Sequence, residues 1–512
     1  MTLLSPLLFG LFIDRLDEFL AVHAGEVGLV TAGQRIRVLI YADDLVLLAE
    51  EESHLQKMLD ILGNFCDATN LAVNVSKCEV VVFNRNFWGR DSYEWLYRGS
   101  RMVISSAFTY LGIDIGEGNM GRHMKKAMSR NIERARGCLF AMMQRCHNIR
   151  LYNPHVLNRL FNSLILPVMS FGCEVWGPDA IVGAAAPFLK GEAEGVHRLF
   201  MRMSLWAGKA TPIPCMMHDL GRVPIMVHWL KSIFQFWNRI VRRGQSDLTY
   251  KMLLENITLR EGWAAQVVRV LNTIGIRHED MTGGAEGQLL PFENVDDIVS
   301  NVAAACGEAM WRTADVAKAA SGNVVRCCPD GQHEGFKIFK YKNWFALSQN
   351  VLHKDKAAFQ RSFAGMVFKG KHVRVLGQFR YGMHWLNTEK CRAPDIGRSR
   401  RTCQCCRSGE REDELHVMTC DAYRHIRHDF PLVFGRDYER MRVKLGGQVE
   451  APDVDDYIKA CFNGEGHEWW SQFADFLIQS QRVRQDMIAG GNVLHNITSG
   501  LDDFDTTDDE EA

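Results

Sequence analysis

The chain has 512 residues, 47% of them hydrophobic and 24% charged, ordinary values for a soluble globular protein that buries large cores. Sixty Lys and Arg balance sixty-one Asp and Glu, so net charge alone assigns no polyanionic partner. Fifteen cysteines, mostly isolated among apolar neighbours as at Cys66, Cys138 and Cys173, exclude a disulfide framework and read as reduced thiols.

The apolar start, Met1 to Ile13, has no basic leader and no small-residue cleavage site, and Asp14-Arg15 follows it. No run reaches the roughly 20 apolar residues that cross a bilayer. A soluble, intracellular protein is expected, nuclear or cytoplasmic in a eukaryote. Residues 1–22 read as one amphipathic helix, with Leu8, Phe12, Leu16 and Leu20 in register. Arg35 to Glu50 reads as strand, tight turn, strand, with Ala42-Asp43-Asp44 at the turn. A helix follows over about Ser53–Ala68, then strands at Leu71–Val75 and Glu79–Phe83. An irregular insertion from Asn84 to Ser105 precedes a strand pair around Phe108–Ile115.

From Arg122 to Cys146 the spacing of Met124, Met128, Ile132, Ala135, Leu139 and Met142 predicts a long helix. Arg122, Lys125, Lys126, Arg130, Arg134 and Arg136 fill most of its remaining surface. A helix over Pro154–Leu166 is expected to end before Pro167. The middle, about 190–352, reads as helical, most clearly over Met226–Val241. Asp502 to Glu511 form an acidic, disordered tail.

Two adjacent carboxylates at the tip of an apolar hairpin repel one another, and a bound cation relieves that repulsion. Nucleotidyl transfer uses such a pair to hold two Mg²⁺ (or Mn²⁺) ions on the attacking and leaving oxygens. An ordinary Asp-rich turn has the same spelling, so the flanking order decides. That order resembles the palm of non-LTR (LINE-type) retrotransposon reverse transcriptases. Ser5-Pro6-Leu7-Leu8-Phe9 resembles the end of the motif that contacts template and incoming nucleotide. Tyr41-Ala42-Asp43-Asp44 resembles the catalytic box, and Leu71 to Lys77 the motif after it. Phe108-Thr109-Tyr110-Leu111-Gly112 is similar to the primer grip. Leu164 to Pro167 and Phe171 to Gly177 resemble the thumb-and-beyond signature.

The resemblance implies that Asp43 and Asp44 ligate Mg²⁺, that Tyr41 lines the primer terminus and that Lys77 faces the phosphates. Phe108, Tyr110, Leu111, Gly112, Arg122, Lys125 and Lys126 would lie along nucleic acid, the helix after Arg122 acting as a thumb element. Template RNA, a DNA primer or target, and dNTPs are the implied partners. The family's palm needs another aspartate, which lies well upstream of the Ser-Pro-Leu-Leu-Phe segment. Here that segment begins at Ser5, and Asp14 follows it on a helix, wrongly placed to substitute. The fingers are missing as well. The expectation is a polymerase by descent that does not polymerise alone; the alternative is a non-catalytic, retrotransposon-derived nucleic-acid-binding protein.

Cys403-x2-Cys406 and His416-x3-Cys420 have zinc-knuckle spacing, with Cys405 able to replace either neighbour. The surrounding sequence also resembles the C-terminal region of these retrotransposon proteins. Lys369, Lys371, Arg374, Arg380, Arg392, Arg398, Arg400 and Arg401 alternate with Phe368, Phe379, Tyr381 and Trp385, a pattern suited to backbone contacts plus base stacking, with some of the aromatics expected in the core. His384 reads as structural. Ala451-Pro452-Asp453 lacks the acid and lysine that would complete a nuclease. The expected fold is α+β: partial palm (1–118), thumb-like helices (119–180), helical connector (181–355), basic zinc-knuckle-like region (356–465), C-terminal helix (466–500) and acidic tail (501–512).

Overall fold

A computed structural model describes residues 5–83, 93–118, 120–182, 191–209, 211–276, 282–283, 288–314, 316–318, 324–326, 341, 367, 369–390, 400–435 and 466–490. The acidic tail, Phe368, Arg392, Arg398 and Ala451-Pro452-Asp453 lie outside these residues. The described fold mixes helices with small two-stranded sheets. The chain forms two compact units. One contains Met1–Ala135, Pro167–Ala193 and Ile225–Val302; the other contains Arg136–Leu166, Glu194–Pro224 and Ala303–Ala512. Among the described residues no single helix is long and apolar enough to cross a membrane.

The first unit begins with two helices, α1 (Ser5–Ile13) and α2 (Arg15–Ala24), where the sequence suggested one. The interruption at Asp14 resets the apolar register. Leu8 and Phe12 face solvent, whereas Ile13, Leu16, Leu20 and Ala24 form the buried stripe. A hairpin of β1 (Leu29–Thr31) and β2 (Gln34–Ile36) precedes the hairpin of β3 (Val38–Tyr41) and β4 (Asp44–Leu47). Ile36 therefore belongs to a separate sheet from Val38. Helix α3 (Glu52–Thr69) buries Met58, Leu59, Leu62 and Phe65 and stops at Asn70, whose left-handed backbone ends the helix.

Leu71–Val75 is not a strand. Leu71, Val73 and Val75 alternate onto the core as expected, but no neighbouring strand pairs with them, and Val75–Lys77 closes into a single 3-10 turn. Alternation reports which side chains are inward; only a partner strand makes it a sheet. The reverse holds for the presumed irregular insertion. Its described part carries β6 (Leu96–Tyr97), β7 (Ser100–Arg101) and β8 (Val103–Ser105), the last pairing in parallel with β5 (Glu79–Val81). Trp95, Tyr97 and Met102 are buried there, so the segment is part of the core. Strands β9 (Ala107–Tyr110) and β10 (Ile113–Gly116) then form the expected hairpin.

Helix α4 (Met120–Asn148) follows, its apolar stripe buried at Met124, Ile132, Ala135, Leu139 and Met142. The helix α5 (Pro154–Leu160) does not stop before Pro167. A π-helical turn, Phe161–Ile165, carries it into α6 (Leu166–Met169). The Leu166 amide donates to the Phe161 carbonyl, five residues back. Pro167 has no amide to donate, and the widened turn lets the helix continue past it. In the first unit, α7 (Cys173–Val182) packs on α10 (Ile225–Arg242) and on α12 (Gly262–Thr273), with Trp176 edge-on to Trp229. The second unit includes most of α8 (Glu192–Leu205) and α9 (Ile213–Leu220). Later it includes α14 (Gly370–Arg380), α15 (Glu414–Thr419) and the C-terminal helix α16 (His467–Gly490). Between α10 and α14 lie α11 (Leu248–Leu259), α12 and α13 (Val295–Ala314).

Candidate catalytic hairpin and metal centre

The β3–β4 ladder pairs Val38 with Leu47, Ile40 with Leu45 and Tyr41 with Asp44, leaving Ala42-Asp43 as a two-residue turn. Ala42 takes a φ of +52°, a left-handed backbone that costs an ordinary residue about 1–2 kcal/mol. Its small side chain limits crowding at that tip. Because side chains alternate, Val38, Ile40, Leu45 and Leu47 face the core formed with α2 and α3. Leu39, Tyr41, Val46 and Asp44 take the opposite face. Tyr41 is 61% exposed, and Asp43 and Asp44 are both open to solvent. The hairpin thus holds two carboxylates at its tip on a backbone anchored from one side.

The β9–β10 hairpin brings Tyr110 within electrostatic reach of Asp44. Burial pushes the Tyr110 hydroxyl above its ordinary pKa, and the negative charge of Asp44 adds to the effect. The turn of this hairpin is Leu111-Gly112, both with positive φ. A Cβ on Gly112 would sit 2.9 Å from the Phe171 ring, so glycine is required there on two counts. The Phe171 carbonyl accepts from the Trp176 indole at 2.9 Å and from the Asn131 amide at 3.0 Å. Gly172, also at positive φ, leaves room for Ile113. The Phe171–Gly177 motif is thereby explained as the packing partner of the Phe108–Gly112 hairpin.

Asp114, behind that hairpin, is buried and takes a hydrogen bond from Thr109 at 2.7 Å. Arg130 of α4 reaches it at 2.9 Å and also donates to the Gly112 carbonyl, while Lys126 lies 3.5 Å away. Burial alone would raise the Asp114 carboxyl; the Thr109 hydroxyl and Arg130 hold it below its ordinary pKa. Arg122 and Lys125 remain exposed, and Lys126 keeps most of its side chain in water despite the ion pair. Lys77, on the 3-10 turn, is exposed as well. Phe108 and Tyr110 are half-buried, and Leu111 is exposed at 39%.

Residues 2–115 match the family described as reverse transcriptase (RNA-dependent DNA polymerase). Over 78 residues the chain is 38% identical to the retrovirus-related Pol polyprotein from type-2 retrotransposable element R2DM of Drosophila melanogaster. That stretch covers 15% of this chain and 7% of the relative's length. Residues 2–115 are thus similar to reverse-transcriptase sequence, including that of a retrotransposable element. In this reverse-transcriptase segment, Asp43 and Asp44 are suitable oxygen donors for Mg²⁺. Among the described residues no third His, Cys, Asp or Glu joins them in a metal-sized cluster. Asp14, at the α1–α2 break, is not in such a cluster either.

The second unit does gather such a cluster. Ligand atoms of Cys403, Cys406, His416 and Cys420 all lie within 4.8 Å of one another. A short antiparallel bridge pairs Thr402 with Arg411, and the Cys403 amide donates to Glu410, so the first two cysteines sit on a tight loop. Arg407 and Gly409 take positive φ to close it. His416 lies in α15, whose first amides are capped by Asp413, and Cys420 follows at its end. Cys403 Sγ and Cys420 Sγ are 3.8 Å apart, and Cys406 Sγ is 3.4 Å from His416 Nε2. Tetrahedral zinc with Zn–S near 2.3 Å and Zn–N near 2.0 Å has ligand edges of about 3.8 and about 3.5 Å. The donor set therefore fits zinc. Cys405 lies close to Cys403 and Glu412 and takes a 3.8 Å contact from the Tyr423 hydroxyl. The thiols of Cys405 and Cys420, donating to Cys403, push its pKa well below the ordinary thiol value.

Sequence reasoning missed the supports of this cluster. Glu410 approaches His416 Nδ1 at 2.9 Å, leaving Nε2 aimed at Cys406. Arg484 of α16 grips the buried Glu412 at 2.6 and 2.9 Å and also reaches Asn387. Asn387 in turn donates to the Thr402 carbonyl at 2.9 Å. Nothing in the local sequence links residue 484 to residue 412. His384 is buried 2.9 Å from Glu414, a structural role as expected.

The presumed stacking aromatics are a correction. Phe379, Tyr381 and Trp385 are buried, and Arg380 pairs with buried Asp219 at 2.8 Å. Phe379 is on the inward face of the helix Gly370–Arg380, and Tyr381 and Trp385 are buried just beyond its end, so they form no exposed platform. Arg400 is exposed, and the Arg401 carbonyl accepts from Glu412.

Proposed function

We propose that the chain is the catalytic-hairpin, thumb and zinc-binding part of a non-LTR retrotransposon RNA-directed DNA polymerase. The observation that carries this reading is the Asp43–Asp44 tip beside Tyr110 within a segment matching the reverse-transcriptase family. In this reading Asp43 and Asp44 hold Mg²⁺ (or Mn²⁺), which when bound stabilises charge on the attacking and leaving oxygens. Tyr41 and the Phe108–Gly112 hairpin line the primer terminus, and Lys77 approaches the triphosphate. Arg122, Lys125 and Lys126 follow the phosphate backbone from α4. Arg130 is a positioning residue, since its contacts with Asp114 and Gly112 set the angle between α4 and the hairpin. RNA template, DNA primer or target, and dNTPs are the ligands.

Two carboxylates under-ligate a pair of hard cations, which favour six oxygen ligands each. A third carboxylate is needed for nucleotide addition, and among the described residues none joins Asp43 and Asp44, so this reading expects primer–template binding without extension. The Cys403–Cys420 cluster favours a concurrent reading as a zinc-stabilised nucleic-acid-binding unit, with Arg398, Arg400 and Arg401 beside it. The test is binding and extension of an RNA-templated DNA primer by the full chain with Mg²⁺ and dNTPs. Salt-sensitive binding without extension is expected. Extension overturns the incomplete metal set; affinity no greater than for heparin overturns the nucleic-acid reading.

A further inference from the structure

In the second unit, α8 ends in a turn that places a bulky aromatic where glycine is usual. The Ala207 amide donates to the Arg202 carbonyl at 3.0 Å, and Trp206 between them takes a φ of +52°. That is the helix-terminating geometry in which a side chain is normally disfavoured. Trp206 is nonetheless 38% exposed. The Arg374 guanidinium of α14 lies 5.4 Å from its ring centre, and Arg374 is exposed too. Close approach of α14 is enforced by Gly377, where any Cβ would fall 2.2 Å from the Leu205 carbonyl oxygen. About two turns earlier on α14, Gly370 lies against the ring of Tyr152, which is half-buried.

The charged side chains in residues 198–209 and 369–374 are all basic. Arg202 lies in the last turn of α8 and donates to the Lys209 carbonyl at 3.1 Å. Its Nε is buried and meets no acceptor among the described residues. Burial, with Arg198 one turn away, lowers its pKa. Lys209 and Lys369 are exposed, and neither is paired with a carboxylate among the described residues. Lys371, by contrast, is 3.9 Å from Asp475 and contributes less. An exposed indole with a guanidinium over it, on segments that carry further exposed cations unpaired among the described residues, matches the stacking-plus-phosphate chemistry of single-stranded nucleic-acid recognition.

We infer that Trp206, Arg374, Arg202, Lys209 and Lys369 form a binding surface for single-stranded nucleic acid, with a base stacking on Trp206. This rests on the nucleic-acid reading above and places a surface where the aromatics of Phe379–Trp385 are buried. The geometry also supplies a discriminating variant. Trp206→Gly removes the ring and relieves the left-handed backbone, which offsets part of the burial lost with a ring that is 38% exposed.

The experiment measures fluorescence anisotropy of labelled single-stranded oligothymidylate and oligouridylate with the full chain, alongside its melting temperature. Trp206→Gly is expected to weaken binding by about tenfold while the chain keeps a cooperative melting transition well above the assay temperature. Arg374→Gln is expected to weaken binding and reduce the slope of log affinity against log salt by about one contact's worth. A preference between the two oligomers distinguishes DNA from RNA as the natural strand. Binding by the parent chain that Trp206→Gly leaves unchanged overturns this surface alone. No binding by the parent chain overturns it together with the nucleic-acid reading.

Discussion

Replacing Arg484 by methionine tests whether the metal centre depends on a helix some sixty residues beyond its last ligand. The side chains of Arg484 and Glu412 are 5% and 1% exposed, and two contacts of 2.6 and 2.9 Å join them. Against the cost of burial, Glu412 holds the Arg484 guanidinium above its ordinary pKa, so the pair is ionic. Removing the arginine leaves a carboxylate buried in the strand-like loop that carries Cys403, at a cost of about 3–5 kcal/mol. Asn387 loses one partner as well, although its hold on Thr402 remains. If the loop orders only with metal, that cost falls on the bound state. Taking its lower bound, zinc affinity drops by about a hundredfold. Competition against a chromophoric chelator on the full chain measures the change. Adding Glu412→Gln to Arg484→Met removes the stranded charge and should recover part of the loss. A single variant that binds zinc within about twofold of the parent refutes the coupling.

Two further outcomes follow from the same geometry. Cys406→Ser should lower zinc content below that of the parent, whereas Cys405→Ser should leave it unchanged, because Cys406 rather than Cys405 faces His416. Metal analysis of the purified variants decides, and the opposite pattern would exchange their roles. Asp114→Asn should destabilise the first unit by about 1–2 kcal/mol at neutral pH, the lower range for a buried pair because Lys126 remains hydrated. The folded pKa of Asp114 is depressed, so its contribution is complete above the unfolded value of about 3.9 and fades as pH falls through the folded value. The melting difference between parent and variant should therefore shrink in acid; a difference that grows in acid contradicts the assignment.

The motifs were legible because each needs particular residues close together in sequence. Tyr41 to Asp44 is a turn between strands, Leu111-Gly112 is a turn that demands positive φ, and Cys403 to Cys406 is a loop that presents two thiols. The long helix α4 was equally plain, since a repeat of three and four residues specifies a helix face. Less legible was everything decided by a partner distant in sequence. Leu71–Val75 has the alternation of a strand but no strand beside it, and Trp95 to Ser105 looked irregular until β8 found β5. Phe379, Tyr381 and Trp385 alternate with basic residues as an exposed binding face would, yet they are buried.

The sequence by itself determined the resemblance to reverse transcriptases, the positions of the paired carboxylates and the four residues of the Cys/His cluster, because local spacing encodes turns and helix faces. Only the tertiary structure decided that Tyr110 lies near Asp44, that Arg130 locks α4 to the hairpin through Asp114, and that Arg484 supports the metal loop. It also buried Tyr381 and left Trp206 exposed beneath Arg374. Burial and pairing are set by which surfaces meet, and a pattern along one strand or helix carries no record of what packs against it.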